Sequence, residues 1–307
     1  MLDIIKLVRK KDKGEGKVPG NGNGSNSNGP IPRKLKAPKP GPPSPTGMIG
    51  VDEAGRGPVM GPLVIAALRV PNDAILRELN VRDSKVLTPA RRAVLYDEIK
   101  AVSKFELEIV TAEEIDELRK DRTMNEIELD LFAGAIGKVL KDGDQIFVDA
   151  ADVREAYFGE QIGVRLMSSR CDARFNIVSK HKADVIYPVV SAASIIAKVT
   201  RDRIIADIEK ELRETLDRPL GSGYPSDPIT ITFMENWIKA EGDLPPHTRR
   251  SWDTAKHMLD TAKTMTLDKF GIWTDAAGNP KERKSPGDDA GDEDYKRDDS
   301  EQEGGSE

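Results

Sequence analysis

The chain has 307 residues, a net charge of −6 and a hydrophobic share of 37%. No apolar run approaches the roughly 20 residues that span a bilayer, and the start Met1–Lys13 mixes apolar with charged residues, unlike a secretory signal. A single cysteine, Cys171, excludes an intramolecular disulfide and a cysteine-based zinc site. We therefore expect a soluble, cytoplasmic protein.

The two ends of the chain differ in composition from its centre. Residues 1–47 carry 10 Lys/Arg against 3 Asp/Glu and contain 8 glycines and 8 prolines, whereas residues 275–307 carry 5 basic against 12 acidic residues. Such segments cannot bury enough apolar surface to offset their chain entropy. We predict a disordered basic extension over 1–47 and a disordered acidic tail over 275–307. The extension is either a tether for nucleic acid or an addition from an upstream start codon, with Met48 as the true beginning.

The pattern between the tails predicts an α/β fold. The predicted strands are Met48–Asp52, Val59–Val70 (broken by Gly61 and Pro62), Phe105–Val110, Gln145–Asp149 and Phe175–Ser179. The predicted helices run from Pro89 to about Val102 behind an N-cap at Thr88, briefly after a capping box at Thr111 and Glu114, from Met124 to Leu140, and from about Val189 to Leu212. Helical segments separated by Gly221–Pro228 and Gly242–Pro246 follow, to about Thr264. Strands alternating with helices predict a mixed sheet covered on both faces.

Four carboxylates lie where predicted strands end. Asp52 and Glu53 close the first strand, Asp149 closes the strand from Gln145, and Asp184 lies between a strand and the long helix. In an α/β sheet such positions converge on one edge, and a cluster of carboxylates there requires divalent cations or protonation. Oxygen ligands suit Mg²⁺ or Mn²⁺, and two such ions activate a water and stabilise the leaving oxygen of a phosphodiester.

Each of these signals is weak when it is taken alone. An acidic pair at a strand end is more often solvated surface. Asp149 also has two neighbouring alternatives, Asp144 and Asp152. The apolar run 146–148 leads directly into Asp149, which favours it over both.

The segment after the first acidic pair is Ala54-Gly55-Arg56-Gly57-Pro58. Glycines on both sides of an arginine let backbone N–H groups approach a ligand closely, and the guanidinium binds phosphate as a fork. The alternative is a tight turn with an exposed arginine. The position directly behind two candidate metal ligands favours a role in ligand binding.

Six segments in order along the chain form a specific combination. They are Gly50–Pro58, Asp83-Ser84-Lys85 with Leu87-Thr88 and Arg91-Arg92, Met124–Glu128, Val148-Asp149, His181–Asp184 with Tyr187–Asp202, and Gly221–Pro228. This ordered set resembles the motifs of the ribonuclease HII family, particularly its archaeal branch. The resemblance extends from about Met48 to about Thr254.

The resemblance implies a ribonuclease H-like mixed sheet flanked by helices, in a catalytic domain over 48–263 whose C-terminal portion is helical from about residue 205. It implies endonucleolytic cleavage of RNA in RNA/DNA hybrids and 5′ to ribonucleotides embedded in duplex DNA, leaving a 3′-hydroxyl and a 5′-phosphate, in ribonucleotide removal and RNA primer processing. Carried over by motif, the catalytic residues and ligands of two Mg²⁺ or Mn²⁺ ions are Asp52, Glu53, Asp149 and Asp184.

The resemblance also implies residues that bind the substrate. Gly55, Arg56 and Gly57 would sense the ribose 2′-hydroxyl, chiefly through backbone groups, because this hydroxyl distinguishes RNA from DNA. Tyr224 would stack on the sugar 3′ to the ribonucleotide. Lys85 and Lys182 are candidates for phosphate contacts, and a solvated surface role is the alternative for each.

Roles for several other side chains stay open in the sequence. Lys198 and Arg201 contact phosphates or remain at the surface. His181 is a general base or, more simply, makes a structural hydrogen bond. The alternatives for Arg249, Arg250 and Trp252 are to line the duplex groove or to pack in the C-terminal region.

The segment 264–274 resembles a degenerate sliding-clamp-binding peptide. Leu267 and Phe270 would fill an apolar pocket of the clamp, although Thr264 replaces the usual leading glutamine and Gly271 the second aromatic residue. The alternative is the end of an amphipathic helix.

Two other classes of function remain alternatives. A catalytically silent hybrid-binding protein would bind without metal and cleave nothing. Another nuclease or integrase of the same fold superfamily would cleave without a preference for ribose. We expect a monomer that contacts RNA/DNA hybrid and ribonucleotide-containing duplex DNA, and no membrane.

Overall fold

The computed structural model describes residues 46–81, 87–169, 173–269, 272–274 and 280–282. Its strands are β1 (Met48–Ala54), β2 (Leu63–Val70), β3 (Lys104–Val110), β4 (Asp144–Asp149), β5 (Phe175–Lys180), β6 (Ile272–Thr274) and β7 (Pro280–Glu282). Its helices are α1 (Ala74–Glu78), α2 (Pro89–Val102), α3 (Ala112–Leu118), α4 (Met124–Val139), α5 (Glu155–Ser169), α6 (Ala183–Ile186), α7 (Pro188–Leu212), α8 (Pro228–Glu241) and α9 (Asp253–Lys269). None of the helices in these ranges combines the length and apolarity needed to cross a membrane.

The chain divides into two compact units, Met1–His257 and Met258–Glu307. In the second unit β6 and β7 pair antiparallel. The predicted basic extension apart from residues 46 and 47, and the predicted acidic tail apart from 280–282, lie outside the described residues.

A five-stranded mixed sheet forms the centre of the first unit, in the order β3-β2-β1-β4-β5. β1 pairs antiparallel with β2, and β2 pairs antiparallel with β3. β4 pairs parallel with β1 and with β5. The mixed α/β sheet expected from the sequence is confirmed, and the carboxyl ends of β1, β4 and β5 lie at one edge.

The alternation of side chains along β1 assigns its residues to two faces. Ile49 and Val51 are fully buried in a core with α4 and α5, where the rings of Phe132 and Phe158 meet edge to face at 5.3 Å. Each such side chain contributes about 1.5–3 kcal/mol on burial. On this face apolar packing is joined by an ion pair at 2.9 Å between Lys138 of α4 and Glu108 of β3.

The opposite face of β1 packs against the long helix α7. Gly50 makes this approach possible, because a Cβ atom there would lie 2.1 Å from the carbonyl oxygen of Val189. Asp52, two residues further along, shares the face of Gly50. The helix therefore comes close to the strand at the point where the first candidate ligand projects.

Helix starts follow the sequence closely. The hydroxyl of Thr88 accepts from the Arg91 N–H at 3.3 Å, and the capping box at Thr111 and Glu114 is formed. Thr123 makes a second capping box with Glu126 at the start of α4. These side chains satisfy N–H groups that a helix leaves without partners in its first turn.

The structure differs from the prediction at the start of β2 and at α5, and it adds the short helices α1 and α6 and the strands β6 and β7. β2 begins at Leu63 and not at Val59, because Gly61 has a φ of +85° and Pro62 has no N–H to donate. Helix α5 was not predicted, since Gly159 and Gly163 lower its helix propensity. In the fold Gly159 lies against β5, where a Cβ atom would be 2.9 Å from that of Ser179.

Candidate active site

Three of the four predicted carboxylates gather at the carboxyl edge of the sheet. Val51 of β1 lies beside Val148 of β4 in parallel register, so Asp52 and Asp149 follow as neighbours on the same face. Asp184 enters from α6, which follows the adjacent strand β5. One oxygen from each of Asp52, Asp149 and Asp184 lies within 4.8 Å of the others. The expected convergence of these three side chains is confirmed.

Hydrogen bonds orient two of the three carboxylates, those of Asp52 and Asp149. The Glu53 N–H donates to Asp52 Oδ1 at 2.8 Å, and the Ser194 hydroxyl of α7 also hydrogen-bonds Asp52. The Ala183 N–H donates to Asp149 Oδ1 at 3.2 Å, which ties the start of α6 to the end of β4. Asp52 and Asp184 are buried, and Asp149 is half-buried.

Glu53 is not a member of the three-oxygen cluster among the described residues. Its carboxylate is nevertheless close to the cluster. Burial, and then the negative charge of Asp149, raise the pKa of Glu53 to about 7, whereas the positive charge of Arg56 lowers it. Glu53 therefore stands at the margin of the site.

The carboxylates of the cluster repel one another, and a bound cation would compensate their negative charges. Burial, and then the charges of Glu53 and Asp149, raise the pKa of Asp52 well above its usual range. Neighbouring carboxylates that resist ionisation in this way bind hard divalent cations, whose charge removes the repulsion. The donor set, composed of carboxylate oxygens, fits Mg²⁺ or Mn²⁺.

The two alternatives to Asp149 have other partners. Asp144 begins β4 at the opposite end of the strand and accepts from the Arg69 guanidinium at 2.7 and 2.8 Å. Asp152 accepts from the Asn125 side-chain amide at 2.7 Å. Neither belongs to the three-oxygen cluster.

The segment Gly55–Gly57, which we call the Gly-Arg-Gly loop, is held by its carbonyl groups. The fully buried Arg249 guanidinium donates to the oxygens of Gly55 at 2.6 Å, Arg56 at 3.0 Å and Gly61 at 3.0 Å. In a trans peptide the N–H points opposite to the C=O of the same unit. The N–H groups of Arg56 and Gly57 therefore point away from Arg249, and they have no hydrogen-bond partner within the described ranges.

Two further observations concern the packing of the loop against Arg249. Gly55 has a φ of +93°, and a Cβ atom there would lie 2.5 Å from the Pro62 carbonyl oxygen, so glycine is required. Burial, and then the nearby Arg201 charge, lower the pKa of Arg249 to about 9. The carbonyl groups that accept hydrogen bonds from this guanidinium are therefore the main interaction that offsets the cost of burying its charge.

The side chain of Arg56 faces the protein. Its guanidinium forms an ion pair with the fully buried Glu128 and donates to Asn125 Oδ1 at 2.7 Å. About a third of the side chain, 36%, remains exposed. The backbone of the loop, and not this guanidinium, is the part free to meet a ligand.

Tyr224 lies beside the loop. A Cβ atom at Gly57 would lie 3.8 Å from a ring carbon of Tyr224. The segment before Tyr224 is fixed by the Gly223 carbonyl, which accepts from the N–H groups of Val59 and Met60 at 2.8 and 3.1 Å. The buried Arg201 lies 5.2 Å from the centre of the ring.

Other predicted residues are placed as follows. Lys182 is exposed, two residues before Asp184, with a φ of +57°. The ring of His181 contacts the Val153 carbonyl oxygen at 3.3 Å, in agreement with the simpler structural alternative. Lys85 and Phe270 lie outside the described residues, and so does the side chain of Leu267.

Sequence reasoning missed the functions of Arg249, Asn125 and Glu128 around the loop. Of the two alternatives for Arg249, groove lining or packing, the structure shows packing: the residue is fully buried, and its Cζ atom lies 4.9 Å from the centre of the Trp252 ring. The signal for Glu128 was present: a glutamate among the apolar positions of α4 predicts a buried ion pair. Nothing in the sequence identified which arginine would be its partner.

An acidic cluster at the carboxyl edge of a five-stranded mixed sheet, next to a loop with outward N–H groups, defines the class of nucleases with a ribonuclease H-like fold. The family model of ribonuclease HII matches residues 49–255, and the chain belongs to the ribonuclease HII family. It is therefore a ribonuclease H of type HII, a hydrolase.

Three similar proteins illustrate the relationship. Ribonuclease HII of Thermococcus kodakarensis is 44% identical over 231 residues, which cover 72% of this chain and 96% of the relative. The crystal structure of ribonuclease H2 from Pyrococcus horikoshii is 41% identical with a TM-score of 0.63, covering 71% of this chain and 99% of that chain. Ribonuclease HII of Archaeoglobus fulgidus, solved as a complex with PCNA, is 36% identical with a TM-score of 0.60, covering 69% and 96%.

Proposed function

We propose that the chain cleaves the RNA strand of RNA/DNA hybrids and cuts 5′ to ribonucleotides embedded in duplex DNA, leaving a 3′-hydroxyl and a 5′-phosphate. The observation that carries the proposal is the meeting of Asp52, Asp149 and Asp184 oxygens within 4.8 Å. Membership of the ribonuclease HII family supports the choice of an RNA-containing substrate. The use would be ribonucleotide removal and RNA primer processing.

Each group of residues has a proposed task. Asp52, Asp149 and Asp184, with Glu53 as the fourth ligand, would hold two divalent ions. When bound, Mg²⁺ or Mn²⁺ supplies activation of the attacking water and stabilisation of the departing 3′-oxygen. The carboxylates of this chain would hold that positive charge at one edge of the sheet, where the scissile phosphate would bind.

The Gly-Arg-Gly loop would read the ribose. The outward N–H groups of Arg56 and Gly57 are donors for the 2′-hydroxyl, because Arg249 occupies the carbonyl side of the same peptides. The Tyr224 ring beside Gly57 offers a flat face to the following sugar. Lys182, exposed near Asp184, would contact a backbone phosphate, and we propose the same contact for Lys85.

The test is a labelled DNA duplex that contains one ribonucleotide, incubated with the full chain and Mg²⁺ or Mn²⁺. We expect one nick 5′ to the ribonucleotide, with a 3′-hydroxyl end that a polymerase extends. Chelation with EDTA and the substitution Asp52→Asn should each abolish the nick. The substitution Asp217→Asn, at an exposed site paired with Arg213, is the matched control and should cut normally.

Two outcomes would contradict the proposal. Tight binding of the hybrid without cleavage under either metal would identify a silent hybrid-binding protein. Equal cutting of an all-DNA duplex would identify a nuclease of the same fold that does not read ribose.

A second proposal concerns the segment 264–274. We propose that Leu267 and Phe270 bind a sliding clamp, supported by the similarity to the Archaeoglobus fulgidus enzyme that was solved with PCNA. The chain and an archaeal PCNA should co-migrate on size exclusion, and Leu267→Ala with Phe270→Ala should separate them without changing the nicking rate. Unchanged co-migration of the double variant would disprove this assignment.

A further inference from the structure

A row of side chains joins the Gly-Arg-Gly loop to the strand that carries Asp149. Arg56 of the loop donates to Asn125 Oδ1 at 2.7 Å. The amide nitrogen of Asn125 donates to Asp152 Oδ2 at 2.7 Å. Asp152 lies three residues after Asp149, and its other oxygen accepts from the Arg154 N–H at 2.8 Å. The two parts of the proposed active site are thus connected through α4.

Glu128 anchors one end of this row. Its side chain is fully buried on α4, and Arg56 is its ion-pair partner. A buried carboxylate that loses its partner destabilises a protein strongly. Arg56 is therefore held to α4, and with the Arg249 contacts to its carbonyl, the loop is fixed from two sides.

Asn125 is suited to the middle of the row because an amide both accepts and donates. Its oxygen faces a guanidinium and its nitrogen faces a carboxylate. Aspartate at this position would place two carboxylates against each other, and alanine would leave both neighbours without this partner. Only asparagine, or an amide of similar reach, joins the two segments.

We propose that Asn125 and Glu128 are positioning residues that set the distance between the ribose-reading loop and the metal-binding carboxylates. This inference rests on the proposed function. A ribonucleotide bound by its 2′-hydroxyl at the loop must present its 5′ phosphate to the cluster around Asp149. A misplacement of about 1 Å between two such elements lowers a rate by about 100-fold.

The experiment compares Asn125→Ala and Asn125→Asp with Asp130→Asn. Asp130 is on the same helix and pairs with Arg122 and Arg165, so this control removes an α4 carboxylate that lies outside the row. We measure kcat, KM and the Mg²⁺ concentration for half-maximal rate on the single-ribonucleotide duplex. Both Asn125 variants should lose about 100-fold in kcat, with little change in KM or Mg²⁺ requirement, and Asp130→Asn should match the unmodified chain.

A second set of variants tests Glu128 without leaving a buried charge. Arg56→Met combined with Glu128→Gln removes both charges of the pair, and this double variant should fold. Because Asn125 acts through Arg56, adding Asn125→Ala to the double variant should cause little further loss of kcat. A full additional loss would show that Asn125 acts elsewhere and would overturn the inference.

The outcomes separate the inference from the function on which it rests. Equal kcat for the unmodified chain and Asn125→Ala, or a loss confined to thermal stability, overturns the positioning role while nicking persists. Absence of nicking by the unmodified chain overturns the proposed function itself, and the inference with it.

Discussion

At the scale of single residues, the acidic cluster predicts an unusual dependence of stability on pH. The pKa of Asp52 is raised well above its usual range and that of Glu53 to about 7, chiefly by burial. For groups of this kind the stabilisation is complete below the pKa of the unfolded chain, roughly 4. It is lost as the pH rises through the folded pKa. The metal-free protein should therefore be less stable at pH 8 than at pH 5.

Urea unfolding in EDTA measures this effect. We expect the free energy of unfolding to fall by roughly 1–3 kcal/mol between pH 5 and pH 8 from Glu53 alone. Asp142, whose pKa the Arg174 hydrogen bonds lower to about 2, titrates below this window. Asp52→Asn should reduce the fall and stabilise the metal-free chain at pH 8, and Mg²⁺ should stabilise the unmodified chain there. If the free energy of unfolding depended on pH in the same way in both proteins, the proposed contribution of Asp52 to this effect would be wrong.

Arg249 is the second residue whose substitution has a definite expectation. Lysine carries its donors on one nitrogen and cannot reach all three carbonyl oxygens that the guanidinium binds. A buried carbonyl without a donor costs about 1–3 kcal/mol, so Arg249→Lys should lower the melting temperature and slow nicking. Arg250→Lys is the matched control, since Arg250 is half exposed and pairs with Asp243 at the surface. That pair is worth at most about 1 kcal/mol.

Equal melting temperatures for Arg249→Lys and Arg250→Lys would show that the carbonyl contacts of Arg249 do not hold the loop. Loss of stability with normal nicking would show that the loop keeps its conformation without them. Both quantities are measured on the same preparations, by thermal unfolding and by the single-ribonucleotide duplex.

At the scale of elements, the distance between β1 and α7 sets the position of Asp52. An alanine at Gly50 would place its Cβ 2.1 Å from the Val189 carbonyl oxygen, so the helix or the strand must move. Overpacking of this kind costs typically about 1–3 kcal/mol and occasionally more. Gly50→Ala should therefore lower both stability and the Mg²⁺ affinity of the cluster, as measured by thermal unfolding across a Mg²⁺ titration.

The control for Gly50→Ala is Gly137→Ala in α4. A Cβ atom at Gly137 would meet only Leu166, at 3.9 Å. Alanine in a helix is favoured over glycine by about 1 kcal/mol, so this variant should be slightly more stable. If Gly50→Ala behaved in the same way, the close approach of α7 to β1 would not be needed for the site.

Elements that are specified by residues close together in the sequence could be predicted. Elements that depend on tertiary packing could not. The caps at Thr88 and Thr111 depend on residues three positions apart, so the sequence shows them directly. Helix α5 has a glycine, Gly159, where it packs closely against Ser179. Tertiary packing requires this glycine, but glycine lowers the helix propensity of the segment, so the sequence does not indicate a helix there. The same division applies to the site. Carboxylates at strand ends follow from topology, whereas the contact of Arg249 with Gly55 joins residues 194 positions apart.

At the scale of the whole molecule, the sequence places charges of opposite sign at the two ends. Residues 1–47 have 10 basic and 3 acidic side chains, and residues 275–307 have 5 basic and 12 acidic ones. A basic segment that contacts phosphates releases counterions, and each contact contributes about 0.9 to the slope of log affinity against log salt. The extension therefore has a measurable electrostatic signature if it is a tether.

Deletion of residues 1–47 tests whether the basic extension is a tether for nucleic acid. Hybrid affinity, measured in Ca²⁺ to prevent cleavage, should fall at low salt and change little at high salt, with a shallower salt slope. Deletion of residues 275–307 is the matched control, because removal of net negative charge should raise affinity at low salt. The rate of nicking at saturating substrate should stay the same in both deletions, since the acidic cluster lies between residues 52 and 184. An unchanged salt slope after the first deletion would contradict the tether, because the basic residues would then make no contact with phosphate.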